Sequence, residues 1–253
     1  MRAPKITRTA VALTALTALF APTAATAAAS PDAAAAARPK TFSYNFAQGQ
    51  QGWSAEYADY SASMSKADMD IEDRIAELPA GTATGTGYFI QGDNHSDDIF
   101  MFLKKKLTKD DGIVPHKTYT VKSSVTFWSK EATNCPGVGG SPGFNVFVKA
   151  GASTMEPTPY VDPADNHYRL KLDKGNQSVG GSESAVLGNI ENGLPCDGTT
   201  TWAKVKRTSP AANPIEVKAD AAGDLWLHAG TDSGFESLTQ LYYTNITTTL
   251  TPR

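Results

Sequence analysis

The densest chemistry in this sequence lies in one short stretch, Asp93-Asn94-His95-Ser96-Asp97-Asp98. The carboxylates of Asp93, Asp97 and Asp98, with Asn94 and Ser96 between them, are the oxygen donors that a hard cation such as Ca2+ collects, about six to eight at a time. The spacing is not that of an EF-hand, because there is no glycine at the sixth position and no closing glutamate. The same residues also close Asx turns in a solvated loop, so metal site and plain loop both stand as readings. The tripeptide Asp93-Asn94-His95 recurs as Asp165-Asn166-His167 in a chain with only four histidines. That repetition makes His95 and His167 candidates for converging on one metal or one sugar, beside the simpler reading that Asp-Asn is ordinary loop chemistry.

Two further motifs resemble catalytic signatures and fail on context. Gly139-Gly140-Ser141-Pro142-Gly143 has the G-x-S-x-G form of a nucleophile elbow. An elbow needs a strand before it and a helix after it, whereas here a cysteine-containing loop precedes and a strand-like run, Phe144 to Ala150, follows. Asp232-Ser233-Gly234 is the aspartic-protease triplet, whose chemistry needs two carboxylates sharing a proton. No second Asp-Ser/Thr-Gly occurs, and the triplet reads as a turn after a strand from Leu225 to Ala229. On that strand Trp226 and His228 lie opposite Leu225, Leu227 and Ala229, so Trp226 is placed to stack on a sugar ring or to be covered by a loop. Trp53, Tyr57 and Tyr60 carry the same ambiguity.

These residues must be positioned by strands. Lys117 to Trp128 alternates, with Tyr119, Val121, Ser123, Val125 and Phe127 on one face and polar residues on the other, the pattern of a strand with one buried and one wet face. Ile99 to Leu103 is apolar throughout, which fits a strand buried on both faces. Shorter β-patterned runs follow one another along the chain: Thr41–Phe46, Trp53–Tyr60, Ile71–Leu78, Tyr168–Leu172, Trp202–Arg207, Ile215–Lys218 and Leu241–Leu250. Gly, Pro, Asn and Asp separate them, and no segment has a convincing amphipathic helical period. The expectation is an all-β, antiparallel β-sandwich of jelly-roll type.

The first residues read as a targeting segment. Arg2, Lys5 and Arg8 precede an apolar run, Ala10 to Phe20, and Ala25-Thr26-Ala27 has the small-residue form of a cleavage site. We therefore expect a signal peptide over 1–27, an Ala/Pro-rich linker over 28–40, and a domain over 41–253. After Ser30 no apolar run approaches the roughly 20 residues of a membrane-spanning helix, so no span is expected in the mature form. In an exported chain two cysteines pair, and Cys135 and Cys196 both sit in Gly/Pro-rich loops. With no histidine at ligand spacing they do not make a zinc site. The formal charge of −3 gives no basic field for a phosphate backbone, which sets nucleic acid aside as a partner.

The opening strand that ends at Phe46, its Gly-rich turn into Gly52-Trp53, and a last strand Leu241–Leu250 preceded by Gly234-Phe235 resemble the two ends of galactose-binding jelly-roll carbohydrate-binding modules. The whole chain also resembles a group of exported bacterial proteins. The resemblance implies a glycan ligand and a structural Ca2+, with no ligand residues carried over. The reading that follows is a secreted, non-catalytic binding protein whose partner is a polysaccharide or cell-envelope glycan. The alternatives are a polysaccharide hydrolase or lyase using carboxylates not singled out among the 26 acidic residues, and a structural or adhesion component of the envelope.

Overall fold

The computed structural model describes residues 38–95 and 98–253. The expected leader, most of the linker, Ser96 and the candidate ligand Asp97 lie outside the described residues. In chain order the strands are β1 (Lys40–Asn45), β2 (Ser54–Ala58), β3 (Glu72–Glu77), β4 (Thr86–Asp93) and β5 (Ile99–Leu107). There follow β6 (Thr118–Ser129), β7 (Val146–Ser153), β8 (Tyr160–Asp162), β9 (His167–Arg169) and β10 (Ser184–Asn189). The last four are β11 (Ala203–Thr208), β12 (Ile215–Lys218), β13 (Leu225–Ser233) and β14 (Leu238–Pro252). Among the described residues the only helical pieces are two 3-10 turns.

The strands form an antiparallel sandwich, as the alternation predicts. In the first sheet β14 runs between β6 on one side and β4 followed by β1 on the other, with β3 at the edge beyond β4. The far side of β6 is shared by β11 and β12. The second sheet has the order β10-β7-β13-β5-β2, and β8 and β9 make a separate hairpin. Along β6 every odd residue from Tyr119 to Ser129 is buried. Along β14 the core residues are Leu241 and Tyr243, then Ile246 and Leu250. The switch from odd to even is made by a bulge between Tyr243 and Asn245, where one extra residue returns the apolar side chains to the core face. From the second sheet, Ile99, Met101, Leu103, Val146, Val148, Leu225, Leu227 and Ala229 meet them. Burying a large apolar side chain completely stabilises by about 1.5–3 kcal/mol, so this interface between the sheets carries the fold.

Three expectations are corrected. The strand expected at Phe144 begins at Val146. Asn145 hydrogen-bonds back to Ser141 through both its backbone and its side chain, closing a turn that leaves Phe144 half exposed. A strand absent from the sequence reading, β10, follows the stretch that holds Gly175, Gly180 and Gly181. Its alternation is broken by a bulge at Gly188, whose φ of +133° is one that side-chain-bearing residues rarely adopt. Finally, Asp232 and Ser233 are not a turn, because β13 continues through Ser233 and pairs with β5 and β7 over that length.

Cys135 and Cys196 are disulfide-bonded across 61 residues of sequence, joining the loop after β6 to the loop after β10. Closing a loop of this length restricts the unfolded chain by about 4 kcal/mol on the chain-entropy view. The denaturation midpoint is therefore expected to fall by that equivalent on reduction, and thiol labelling of denatured, unreduced protein should find no free cysteine.

Candidate functional site

Alternation assigns the second face of the second sheet without ambiguity. Opposite the core residues, β13 presents Trp226, His228 and Asp232, β5 presents Phe100, Phe102, Lys104 and Lys106, and β7 presents Phe147, Lys149 and Ser153. An uncovered face of this kind would be polar. This one has Phe100 and Phe102 completely buried, stacked on each other and packed against Leu170 and Leu172. The segment between β7 and β10 crosses the face and covers it. Gly151 makes room for its return, since a Cβ there would lie 1.9 Å from the Glu183 carbonyl oxygen.

Charge pairs fasten this cover. Asp232, fully buried, is 2.7 Å from Lys149 Nζ, also fully buried. Lys174, on the covering segment, donates to both Asp232 oxygens at 3.1 and 2.9 Å and lies 2.9 Å from Asp59. The Gln177 backbone N–H adds a bond to Asp232 at 2.8 Å. Arg169 joins Asp59 at 3.0 Å to Asp165 at 2.7 Å. Lys149 also donates to the carbonyls of Lys174 and Val179. Burial works against the ionised form of Asp232, but the two lysines outweigh it and hold its carboxyl below the usual range. Burial and the neighbouring Asp232 charge push the Asp98 carboxyl up to about 9, so at neutral pH it holds a proton and hydrogen-bonds Asp232. Burial likewise opposes the charge of Lys174, yet Asp232, Asp59 and Asp98 raise it to about 12.

Asp59, Asp98 and Asp232 bring oxygens within 4.8 Å of one another, close enough to hold a metal ion. In this structure Lys174 supplies the positive charge among them. A cleft of about 270 Å³ opens beside the cluster, lined by Asp59, Asp98, Arg169, Leu172, Lys174 and Asn176. A larger hollow of about 360 Å³ lies inside the loop between β3 and β4, with Glu77 its one ionisable group and the rest apolar or small polar residues, and holds no constellation of reactive groups.

The residues singled out from sequence disperse. Asp98 joins Asp59 and Asp232, while Asp93 ends β4 and lies 3.7 Å from His95 Nε2. His95 reaches the Asp68 carbonyl, and His167 on β9 reaches the Asp165 carbonyl, so each histidine is held by its own local partner. His228 is buried, with neither ring nitrogen hydrogen-bonded among the described residues. Trp226 is half-buried, paired in register with Lys106 and Ser153, its ring 5.8 Å from Lys104 Nζ. Lys104 is held between Glu56 at 3.0 Å and Glu156 at 2.8 Å. Asp59, Lys149, Arg169 and Lys174 were not legible as site residues. Their one sequence signal is the two-sided apolar run Ile99–Leu103, which requires a cover over its second face.

No family model matches the sequence, and no curated protein matches it. Solved carbohydrate-binding modules are among the structures similar to it. TmCBM61, solved in complex with β-1,4-galactotriose, is 10% identical with a TM-score of 0.34, over 81% of this chain and 92% of that one. The xylan-binding domain from CBM 22 is 12% identical with a TM-score of 0.33, over 81% and 92%. The K1 cleaved adhesin domain of Lys-gingipain from Porphyromonas gingivalis is 12% identical with a TM-score of 0.32, over 82% and 97%.

Burial, with Lys149 adding to it, pushes His228 down to about 3. The folded protein therefore keeps this ring neutral while the unfolded chain protonates it near pH 6.5. The unfolded state then binds more protons, so stability is full above about pH 6.5 and falls as pH drops from there toward 3. Wild type should lose roughly 1.4 kcal/mol per pH unit between about pH 6 and 4 relative to His228→Met. Denaturant melts of both proteins across that range measure the difference, and parallel curves would refute it.

Proposed function

We propose that this chain is an exported, non-catalytic glycan-binding protein that receives its ligand at the Trp226 end of the second sheet's outer face. The observation that carries this reading is the division of that face. The covering segment seals Phe100, Phe102 and Asp232, whereas Trp226 stays half-exposed at the other end. An aromatic ring gives a sugar flat apolar contact. Beside it Glu56 and Glu156 are fixed in ion pairs to the buried Lys104, offering preorganised acceptors for hydroxyls at little entropic cost. The carboxylates in the neighbouring cleft do not favour hydrolysis. Asp59 is committed to Arg169 and Lys174, and Asp232 to two lysines. Export rests on the basic, apolar and small-residue pattern over 1–27. Among the described residues no helix is long and apolar enough to cross a membrane.

Trp226→Ala should weaken retention on a bound polysaccharide about tenfold, equivalent to about 1.4 kcal/mol, with an unchanged melting temperature. Affinity electrophoresis across a panel of soluble glycans provides the readout. Release of reducing ends or unsaturated sugars would favour the hydrolase or lyase alternative. Failure of well-folded protein to bind any glycan would favour the envelope-component alternative.

Calcium, expected for the acidic loop, would compete with an ammonium already seated among Asp59, Asp98 and Asp232. A ligand present at about 100 times its dissociation constant adds about 2.7 kcal/mol to stability. We expect melting curves in calcium and in chelator to coincide, and a shift of several degrees would assign the cation's place to the metal.

A further inference from the structure

The second sheet brings an amine and a carboxyl group into reactive contact. Lys149 on β7 is opposed in register by Gly230 on β13, and Asp232 is its diagonal neighbour on the same face. No side chain stands at the directly opposed position. Lys149 Nζ is 2.7 Å from Asp232 Oδ2, and both side chains are completely inaccessible to water. Phe100 and Phe147 flank Asp232 in register on either side. Asp98 hydrogen-bonds the same carboxyl group, and Lys174 holds both its oxygens.

We propose that Lys149 and Asp232 condense spontaneously into an intramolecular isopeptide bond, with Asp98 as the catalytic proton carrier. The ion pair is the reactant. A proton passing from Lys149 to the carboxyl pair leaves a neutral amine and a carboxylic acid, the form that burial favours. The Nζ lone pair attacks Asp232 Cγ and forms the C–N bond, and the charge on the tetrahedral oxygen is met by the Lys174 ammonium. Asp98 delivers a proton to the departing hydroxyl, the C–O bond breaks, and water leaves. Asp98 recovers its proton from Nζ. Amine and acid become amide and water, nothing is oxidised or reduced, and no other reactant is consumed. Contact at hydrogen-bond distance replaces a bimolecular encounter, and an apolar wall on each side keeps water from reversing the step. Lys174 is the other amine at this carboxyl, but it is also paired with Asp59 at 2.9 Å, which keeps it charged, so it is not the nucleophile. This assignment does not depend on the glycan reading.

Intact mass of the folded, purified protein, with its disulfide reduced, should lie one water, about 18 Da, below the mass of its sequence. Proteolysis should release a branched peptide joining the Lys149 and Asp232 segments. Asp232→Asn should instead lose ammonia, about 17 Da, because the leaving group is changed. Asp98→Asn, folded by circular dichroism and still able to donate a hydrogen bond to Asp232, should show the full mass. Wild-type protein that is folded and has the full mass overturns the proposal. So does a branch at Lys174, or a mass deficit with only linear peptides, which would indicate a cyclised Asp232.

Discussion

A carboxylate at the centre of a sheet face, sealed from water, is tolerable only if it is neutralised where it stands, since an unpaired buried charge costs many kcal/mol. Asp232 is neutralised from two directions. Lys149 comes from the neighbouring strand, and Lys174 comes from a segment that has no strand partner in the sheet. The second contact is what ties the covering segment to the sandwich. Around it Leu170 and Leu172 bury the Phe100 and Phe102 rings, and Arg169 fastens the β8–β9 hairpin to Asp59. Removing one partner of such a cluster leaves another charge buried and costs about 3–5 kcal/mol, so the cover and the buried charges stand or fall together.

The cover divides one face of the sheet into two chemical environments. Under it, polar groups are shifted far from their ordinary behaviour. His228 is kept neutral, Asp98 is kept protonated, and Lys174 stays charged against its burial. Beyond it, Trp226 is partly exposed, and Glu56 and Glu156 reach solvent with their positions fixed by the buried Lys104. A dry compartment favours condensation and excludes hydrolysis, and a partly exposed ring with fixed polar neighbours favours recognition.

The other face of the same sheet is ordinary by comparison. Two layers of alternating residues interdigitate, a bulge in β14 resets the alternation where the strand passes from β4 to β1, and the disulfide ties the loop after β6 to the loop after β10. This side supplies the stability that lets the outer face carry buried charge.

Alternation alone determined the sandwich, because a period of two assigns each residue of a strand to a face whatever lies nearby. The run Ile99–Leu103 told correctly that both faces of its strand are buried, and the two loop cysteines foretold their bond. What covers a face is a different matter, since it depends on contacts between segments far apart in sequence. Asp98 reads as part of an acidic loop with Asp93, yet the fold turns it inward to Asp59 and Asp232, 39 and 134 residues away by their numbers. Asp232 reads as a turn because Asp-Ser-Gly is turn chemistry, and only pairing with β5 and β7 on both sides keeps it in a strand. Lys149 lies in the run Phe144 to Ala150 with no signal in the sequence that marks it as buried. Its burial was decided by a cover that carries the second lysine, and no local pattern encodes a charge balance assembled from five separate stretches of chain.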